Sequence, residues 1–350
     1  MTEQDTKPGS ALSVAILGAG SWGTTFAKIL ADAATASGVD RSIRLWGRRR
    51  EVVEQINASH RNPQYLKDVE LPASISASMD VDAVLAGADL VVLAVPAQTL
   101  RPQLRSWKHL VGADAMVVSL MKGLELSTDA RMSEVICEEL GISADRIAVV
   151  SGPNLAMEIA REEPTASVVA CSDAAAAGWI ARTCTAPYFR PYTTADVVGV
   201  EIGGIVKNVI ALAVGICEGK QMGDNTKASV ITRGLAETSR LALALGGEAK
   251  TMAGLAGLGD LVATCSSPLS RNHTAGRLLG EGFSLGQVTE KMTQTAEGIK
   301  SGQAVHELAG KLGVDMPITA AVVAVLAGKM SVDELGPRLL ARELKPEGDY

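Results

Sequence analysis

The chain has 350 residues, 47% of them hydrophobic and only 3% aromatic, which is enough for two domains with ample aliphatic cores. Thirty-three basic against 39 acidic residues give a net charge of −6, which argues against general binding to nucleic acid or a membrane surface and leaves only local basic pockets open. Cys137, Cys171, Cys184, Cys217 and Cys265 are scattered and contain no CxxC pair, and His60, His109, His273 and His306 stand apart, so neither a disulfide framework nor a metal site is expected.

Residues 1–12 form a polar tail without the basic-then-apolar order of a signal peptide, and no apolar run reaches the ~18 residues of a membrane span. A cytoplasmic protein is the expectation. Residues 13–17 make a short apolar strand that runs into GAGSWG, where Gly18, Gly20 and Gly23 precede a helix over residues 22–36. The first glycine permits a tight turn, the second lets the backbone approach a pyrophosphate, and the third lets helix pack on strand, while the helix N-terminus offers amides to phosphates. No Lys-Ser/Thr follows, so this is a dinucleotide cradle rather than a nucleoside-triphosphate loop.

Residues 43–46 are the second strand. Its tip reads Gly47-Arg48-Arg49-Arg50, where an NAD-specific fold would place an acid for the ribose 2′-hydroxyl. Arginine suits a 2′-phosphate, so NADP(H) is expected to serve at least as well as NAD(H), with Arg48 and Arg49 at the adenosine end; a solvated basic turn before the helix 51–58 is the other reading. Apolar strands follow at 89–95 and 115–120, the latter with Lys122 at its carboxyl end, the edge where open α/β sheets hold ligands. The strand 147–150 ends in Ser151-Gly152-Pro153-Asn154 before a helix over 155–161, again presenting free amides at that edge. Strands over 165–170 and 188–193, with a helix over 174–184 between them, complete a mostly parallel Rossmann-like domain of residues 13–195.

Beyond this point the strand pattern stops, and residues 196–340 read as an all-helical domain, followed by a loose tail over 341–350. The run over residues 200–218 buries a lysine: around Lys207, the neighbours three and four positions away are Gly203, Gly204, Ile210 and Ala211, none of which can pair with it. Such a lysine must snorkel, find a distant partner, or work. Two glycines one turn earlier weaken the helix by about 1 kcal/mol each relative to alanine, which points to a close approach to the backbone there. A polar turn over 220–227 leads to a helix over 228–245. The glycine-rich stretch 253–260 reads as a loop that wraps something closely, with Asp260 its only carboxylate; Asp260 either serves the site or caps the next helix. Ser270 is an N-cap, and Arg271 in the first helical turn is misplaced against the helix dipole unless an anion lies there; with Asn272 it would suit a phosphate. Thr295-Ala296-Glu297-Gly298 opens another helix, where Glu297 either reaches a cofactor or caps, and residues 316–326 form a final packing helix.

GAGSWG, Met121-Lys122-Gly123-Leu124-Glu125, Ser151-Gly152-Pro153, GGIVKNVIA around Lys207, AGLGDLVATC around Asp260 and Ser270-Arg271-Asn272 together resemble the NAD(P)-dependent glycerol-3-phosphate dehydrogenase family over roughly residues 13 to 340. The resemblance implies Lys207 as the catalytic acid/base with Lys122 and Asp260 beside it, and Lys122, Gly152, Asn154, Lys207, Asp260, Ser270, Arg271 and Asn272 in contact with glycerol 3-phosphate. It also implies that Gly18, Gly20, Ser21, Trp22, Gly23, Arg48, Arg49, Lys122, Ala156, Arg271 and Glu297 line NADP(H) or NAD(H), with no metal, in a homodimer serving phospholipid synthesis. Asn154 departs from the serine or threonine that the family often carries after Gly-Pro. Two other readings stay open on the residues: a related reductase of another small hydroxy acid or phosphorylated sugar, and a noncatalytic NADP(H)-sensing module.

Overall fold

A computed structural model of the chain describes residues 12–292 and 296–341; apart from Leu12 and Ala341, the expected tails lie outside the described residues, as does Thr295. The chain divides into two compact units. The first comprises Met1–Met121 and Arg131–Val197, the second Lys122–Ala130 and Val198–Tyr350.

The first unit is built on one eight-stranded sheet, with strands β1 (Leu12–Leu17), β2 (Arg41–Trp46), β3 (Ile75–Ser78), β4 (Leu90–Leu93), β5 (Met116–Ser119), β6 (Ile147–Ser151), β7 (Thr165–Ala170) and β8 (Phe189–Thr194) in the order β3-β2-β1-β4-β5-β6-β7-β8. All neighbours are parallel except β6 and β7. Every residue of β4 and β6 is buried, as the apolar runs Leu90–Leu93 and Ile147–Val150 require of strands covered on both faces. The sequence reading missed β3: it has four residues, only two of them apolar, and lies at the edge of the sheet, where pairing with Ile43 and its neighbours supplies what composition does not. Leu12 belongs to β1 rather than to the tail.

Register aligns the carboxyl ends. Ser78, Trp46, Leu17, Leu93, Ser119 and Val149 stand side by side across six parallel strands. The Gly18, Gly47 and Gly152 turns therefore all leave the sheet at one edge. The helix Ser21–Ser37 is tied down by buried Lys28, whose ammonium donates to Asp32 and Glu162, each at 2.7 Å, while the Tyr188 hydroxyl donates to Asp32 at 2.6 Å.

The second unit is helical and has its own core, in which Leu124 joins residues of the following helices. At its centre runs the helix Val197–Gly219, with residues 199–217 all buried. By length and composition this helix could cross a membrane, although Glu201 and Lys207 interrupt its apolar run; it is sheathed by the surrounding helices. A Cβ at Gly215 would lie 2.1 Å from the His273 carbonyl oxygen, and one at Gly276 would lie 2.1 Å from that of Leu212, so glycine alone lets the helix Arg271–Gly280 pack this closely. The helix Asp224–Ala244 begins inside the expected polar turn, because Gly223 supplies its N-cap and Asp224, an acid favourable in a first helical turn, pairs with Lys227. From this helix, buried Glu237 accepts from the backbone N–H groups of Ile318 and Thr319 and from the Thr319 hydroxyl, so it caps the helix Pro317–Leu326 from outside.

Candidate active site

Gly203 stands one turn before Lys207. A Cβ there would lie 2.6 Å from the carbonyl oxygen of Ala256, so glycine allows the π-helical turn Leu255–Gly259 to lie against the central helix. The glycine-rich stretch is thus wound rather than a loop, and the close approach expected at Gly203 is this turn's backbone. Lys207 lies four residues beyond Gly203 and Asp260 four beyond Ala256, and these two side chains meet.

The Lys207 ammonium donates to Asp260 Oδ1 and, at 2.7 Å, to Thr264 Oγ1. Lys122 donates to the other carboxylate oxygen of Asp260 at 2.5 Å. Asp260 is 1% exposed and Lys207 7%, so one carboxylate serves two ammonium groups with almost no water to screen them. Burial lowers the pKa of Lys207, the negative charge of Asp260 opposes the change, and Lys122 reinforces it; the balance is about 7. Asp260 opens the helix Asp260–Ser266 and Thr264 follows one turn later on the same face, a partner that the sequence reading did not single out.

Lys122 reaches this cluster because Lys122–Ala130, expected in the first domain, belongs to the second unit. The segment holds itself together and to that unit: Leu124 is fully buried in the second core, the Thr128 hydroxyl donates to Glu125 at 2.6 Å, and Lys311 pairs with Asp129.

A second buried junction lies next to the first. The Asn272 side chain donates to Asn208 Oδ1 at 2.9 Å and accepts from the backbone N–H of Gly298 at 2.8 Å. Each member of this trio immediately follows a candidate residue, respectively Arg271, Lys207 and Glu297, on three different helices. Asn208 was not singled out from the sequence, although its place beside Lys207 was the available clue. Ser270 caps the helix Arg271–Gly280 by accepting from the His273 N–H at 3.3 Å. Burial raises the pKa of Glu297, against the positive charges of Arg271 and Lys300, and the Glu297 charge in turn acts on Arg271.

In the first unit the glycine motif divides its labour as a dinucleotide cradle should. Gly18 has φ 130°, and a Cβ there would lie 2.4 Å from the Ala94 carbonyl oxygen; a Cβ on Gly23 would lie 2.0 Å from that of Gly18; a Cβ on Gly20 would meet no protein atom within 4 Å. Turn and packing thus demand the outer glycines, while the middle one leaves its backbone open to a ligand. Ser21 and Trp22 begin the helix Ser21–Ser37, and the buried Trp22 Nε1 has no partner among the described residues. Arg48 and Arg49 are exposed just beyond β2. Gly152 takes φ 135° after β6, and Ala156, whose carbonyl accepts from Thr25 at 3.1 Å, starts the helix Ala156–Ala160. The residues present suit a nicotinamide dinucleotide. Among the described residues, no group of three or more His, Cys, Asp or Glu could hold a metal ion.

Comparison with known proteins agrees with this geometry. The family model described as NAD-dependent glycerol-3-phosphate dehydrogenase N-terminus matches residues 13–177, and the corresponding C-terminus model matches residues 196–336. The chain is 55% identical to glycerol-3-phosphate dehydrogenase (NAD(P)+) of Thermobifida fusca, over 95% of this chain and 98% of the relative. It is 54% identical to that of Streptomyces griseus, over 96% and 98%. Among solved structures, glycerol-3-phosphate dehydrogenase from Coxiella burnetii superposes with a TM-score of 0.88 at 36% identity, covering 95% of this chain and 99% of that one. With both of its halves matched, the chain belongs to the NAD-dependent glycerol-3-phosphate dehydrogenase family.

Proposed function

We propose that this chain interconverts dihydroxyacetone phosphate and glycerol 3-phosphate with NADP(H) or NAD(H), using Lys207 as the acid/base. The observation that carries the reading is a lysine only 7% exposed whose ammonium donates to Asp260 and Thr264, in surroundings where burial lowers its pKa to about 7. Near neutral pH such a lysine is available in both protonation states, as a reversible reaction needs. A nicotinamide dinucleotide, when held there, would supply or accept the hydride. Two of the three ammonium donors of Lys207 go to Asp260 and Thr264, and we assign the third to the substrate oxygen, where the lysine neutralises developing negative charge and delivers the proton. In the reverse direction neutral Lys207 takes the hydroxyl proton. Asp260 is the orienting group, because it anchors both lysines at once.

Arg271 is our candidate for the phosphate, with Ser270, Asn272 and the amides of the helix Arg271–Gly280 around it. The Asn272 side chain already serves Asn208 and Gly298, so we assign the phosphate to its backbone N–H and the remaining hydrogen of Nδ2. Lys122, Gly152 and Asn154 complete the proposed substrate contacts. Gly18, Gly20, Ser21, Trp22, Gly23, Arg48, Arg49, Lys122, Ala156, Arg271 and Glu297 are the proposed dinucleotide contacts. We further read the enzyme as a cytoplasmic homodimer, the mass of which light scattering would measure.

The deciding assay follows reduced-nicotinamide absorbance with dihydroxyacetone phosphate, using NADPH and NADH in parallel, against dihydroxyacetone as the control without phosphate. Turnover is expected only with the phosphate ester, and Arg48→Asp is expected to shift preference toward NADH. Equal rates on both ketones would remove the phosphate site, and dinucleotide binding without turnover would make the chain a sensor.

A further inference from the structure

The segment Lys122–Ala130 is a strap closed on itself. The Glu125 backbone N–H donates to the Ala130 carbonyl at 2.9 Å and the Asp129 N–H to the Glu125 carbonyl at 2.8 Å, so the two limbs of the strap run side by side. Leu124 fills the second core, and at the tip Asp129 pairs with Lys311, the last residue of the helix Glu297–Lys311. Asp129 has φ 59°, a left-handed conformation unfavourable for any residue with a Cβ, and its side chain is only 6% exposed. A buried carboxylate in such a turn keeps its place only beside a counter-charge, which the largely exposed Lys311 supplies.

The near end of the strap carries Lys122, whose ammonium donates to Asp260 Oδ2 at 2.5 Å. Asp260 is the carboxylate that also holds Lys207, and the Lys122 charge is one of the influences that lower the Lys207 pKa. The two ends are mechanically linked: with Asp129 pinned, Glu125 paired and Leu124 docked, the backbone has one course, and Lys122 lies two residues back along it. We propose that the Lys311–Asp129 pair is a positioning device for Lys122, setting how closely that ammonium approaches Asp260 and, through Asp260, the acid/base behaviour of Lys207. The proposal rests on reading Lys207 as the acid/base.

The test measures kcat/KM and KM for dihydroxyacetone phosphate with the full-length enzyme between about pH 6 and about pH 9, in Lys311→Met, Asp129→Asn and Lys311→Arg, with thermal melts alongside. The first two variants lose the ion pair, and asparagine still tolerates the left-handed turn. As Lys122 draws back from Asp260, its lowering influence on Lys207 weakens, so both profiles should move toward alkali by about 0.5 pH unit or more. KM should rise about threefold or more, because Lys122 is itself a proposed substrate contact. The two substitutions remove charges of opposite sign, so a direct field effect on Lys207 would move their profiles in opposite directions; a shared alkaline shift marks displacement of Lys122. The other ionisable groups acting beside Lys207, Asp260 and Cys265, are untouched. Lys311→Arg keeps the pair and should keep the wild-type profile and KM. Unmoved profiles, opposite shifts, a fall in melting temperature alone, or an arginine variant that behaves like the methionine one would each overturn the proposal. Absence of turnover by the wild type would instead sink the acid/base reading, and the proposal with it.

Discussion

Replacing Asp260 by asparagine removes one negative charge from between two ammonium groups and keeps the shape of the side chain. Burial and Lys122 already push the Lys207 pKa down, and Asp260 is the charge that holds it near 7. At an effective dielectric constant of about 20, unit charges about 4 Å apart interact by about 4 kcal/mol. Even a third of that, about 1.4 kcal/mol, lowers the protonated fraction of the lysine about tenfold at a fixed pH above its pKa. Ketone reduction needs protonated Lys207 and should fall at least about tenfold, with its pH optimum moving toward acid. Glycerol 3-phosphate oxidation needs the neutral amine and should lose less. Initial rates in both directions between about pH 6 and about pH 9 measure this, with thermal melts confirming that the variant is folded. An unchanged pH profile, or a shift toward alkali, would refute the electrostatic role given to Asp260.

Lys207→Met should lower turnover in both directions by about 10²–10⁴-fold. It also tests the lysine's effect on stability. Between about pH 7 and 10.5 the unfolded chain binds this proton and the native chain does not, so the cost of burying Lys207 is fully present below about pH 7 and is relieved as pH rises through that window. The stability advantage of Lys207→Met should therefore shrink with rising pH in denaturant titrations, and a constant difference would contradict the lowered pKa. Gly203→Val drives a side chain into the Ala256 carbonyl and should cost about 1–3 kcal/mol while depressing kcat, because the turn that carries Asp260 must shift. Unaltered melting and kcat would show that this contact can relax. Glu237→Gln leaves one N–H of the helix Pro317–Leu326 facing a donor and should destabilise by about 1–3 kcal/mol without moving the pH profile of turnover; an unchanged urea midpoint would dismiss the cap.

Much of the site was legible along the chain because its residues break local rules. A lysine in an apolar helix, an arginine at the start of a helix and three glycines between strand and helix each carry a local cost that ordinary packing does not explain. Periodicity marked seven of the eight strands in the same way, and lost only β3, whose two apolar residues are too few to show a period.

What the residues by themselves determined was which side chains were anomalous: a lone amine among aliphatic neighbours must find a charge or a proton-transfer role wherever the helix packs. Which partners they found was decided only by tertiary structure. That Lys122–Ala130 joins the helical unit, that the approach to Gly203 is the turn leading into Asp260, and that Thr264 and Asn208 complete the network all depend on contacts between residues distant in sequence. No local pattern encodes such pairings, because the geometry that selects them exists only once the cores have closed.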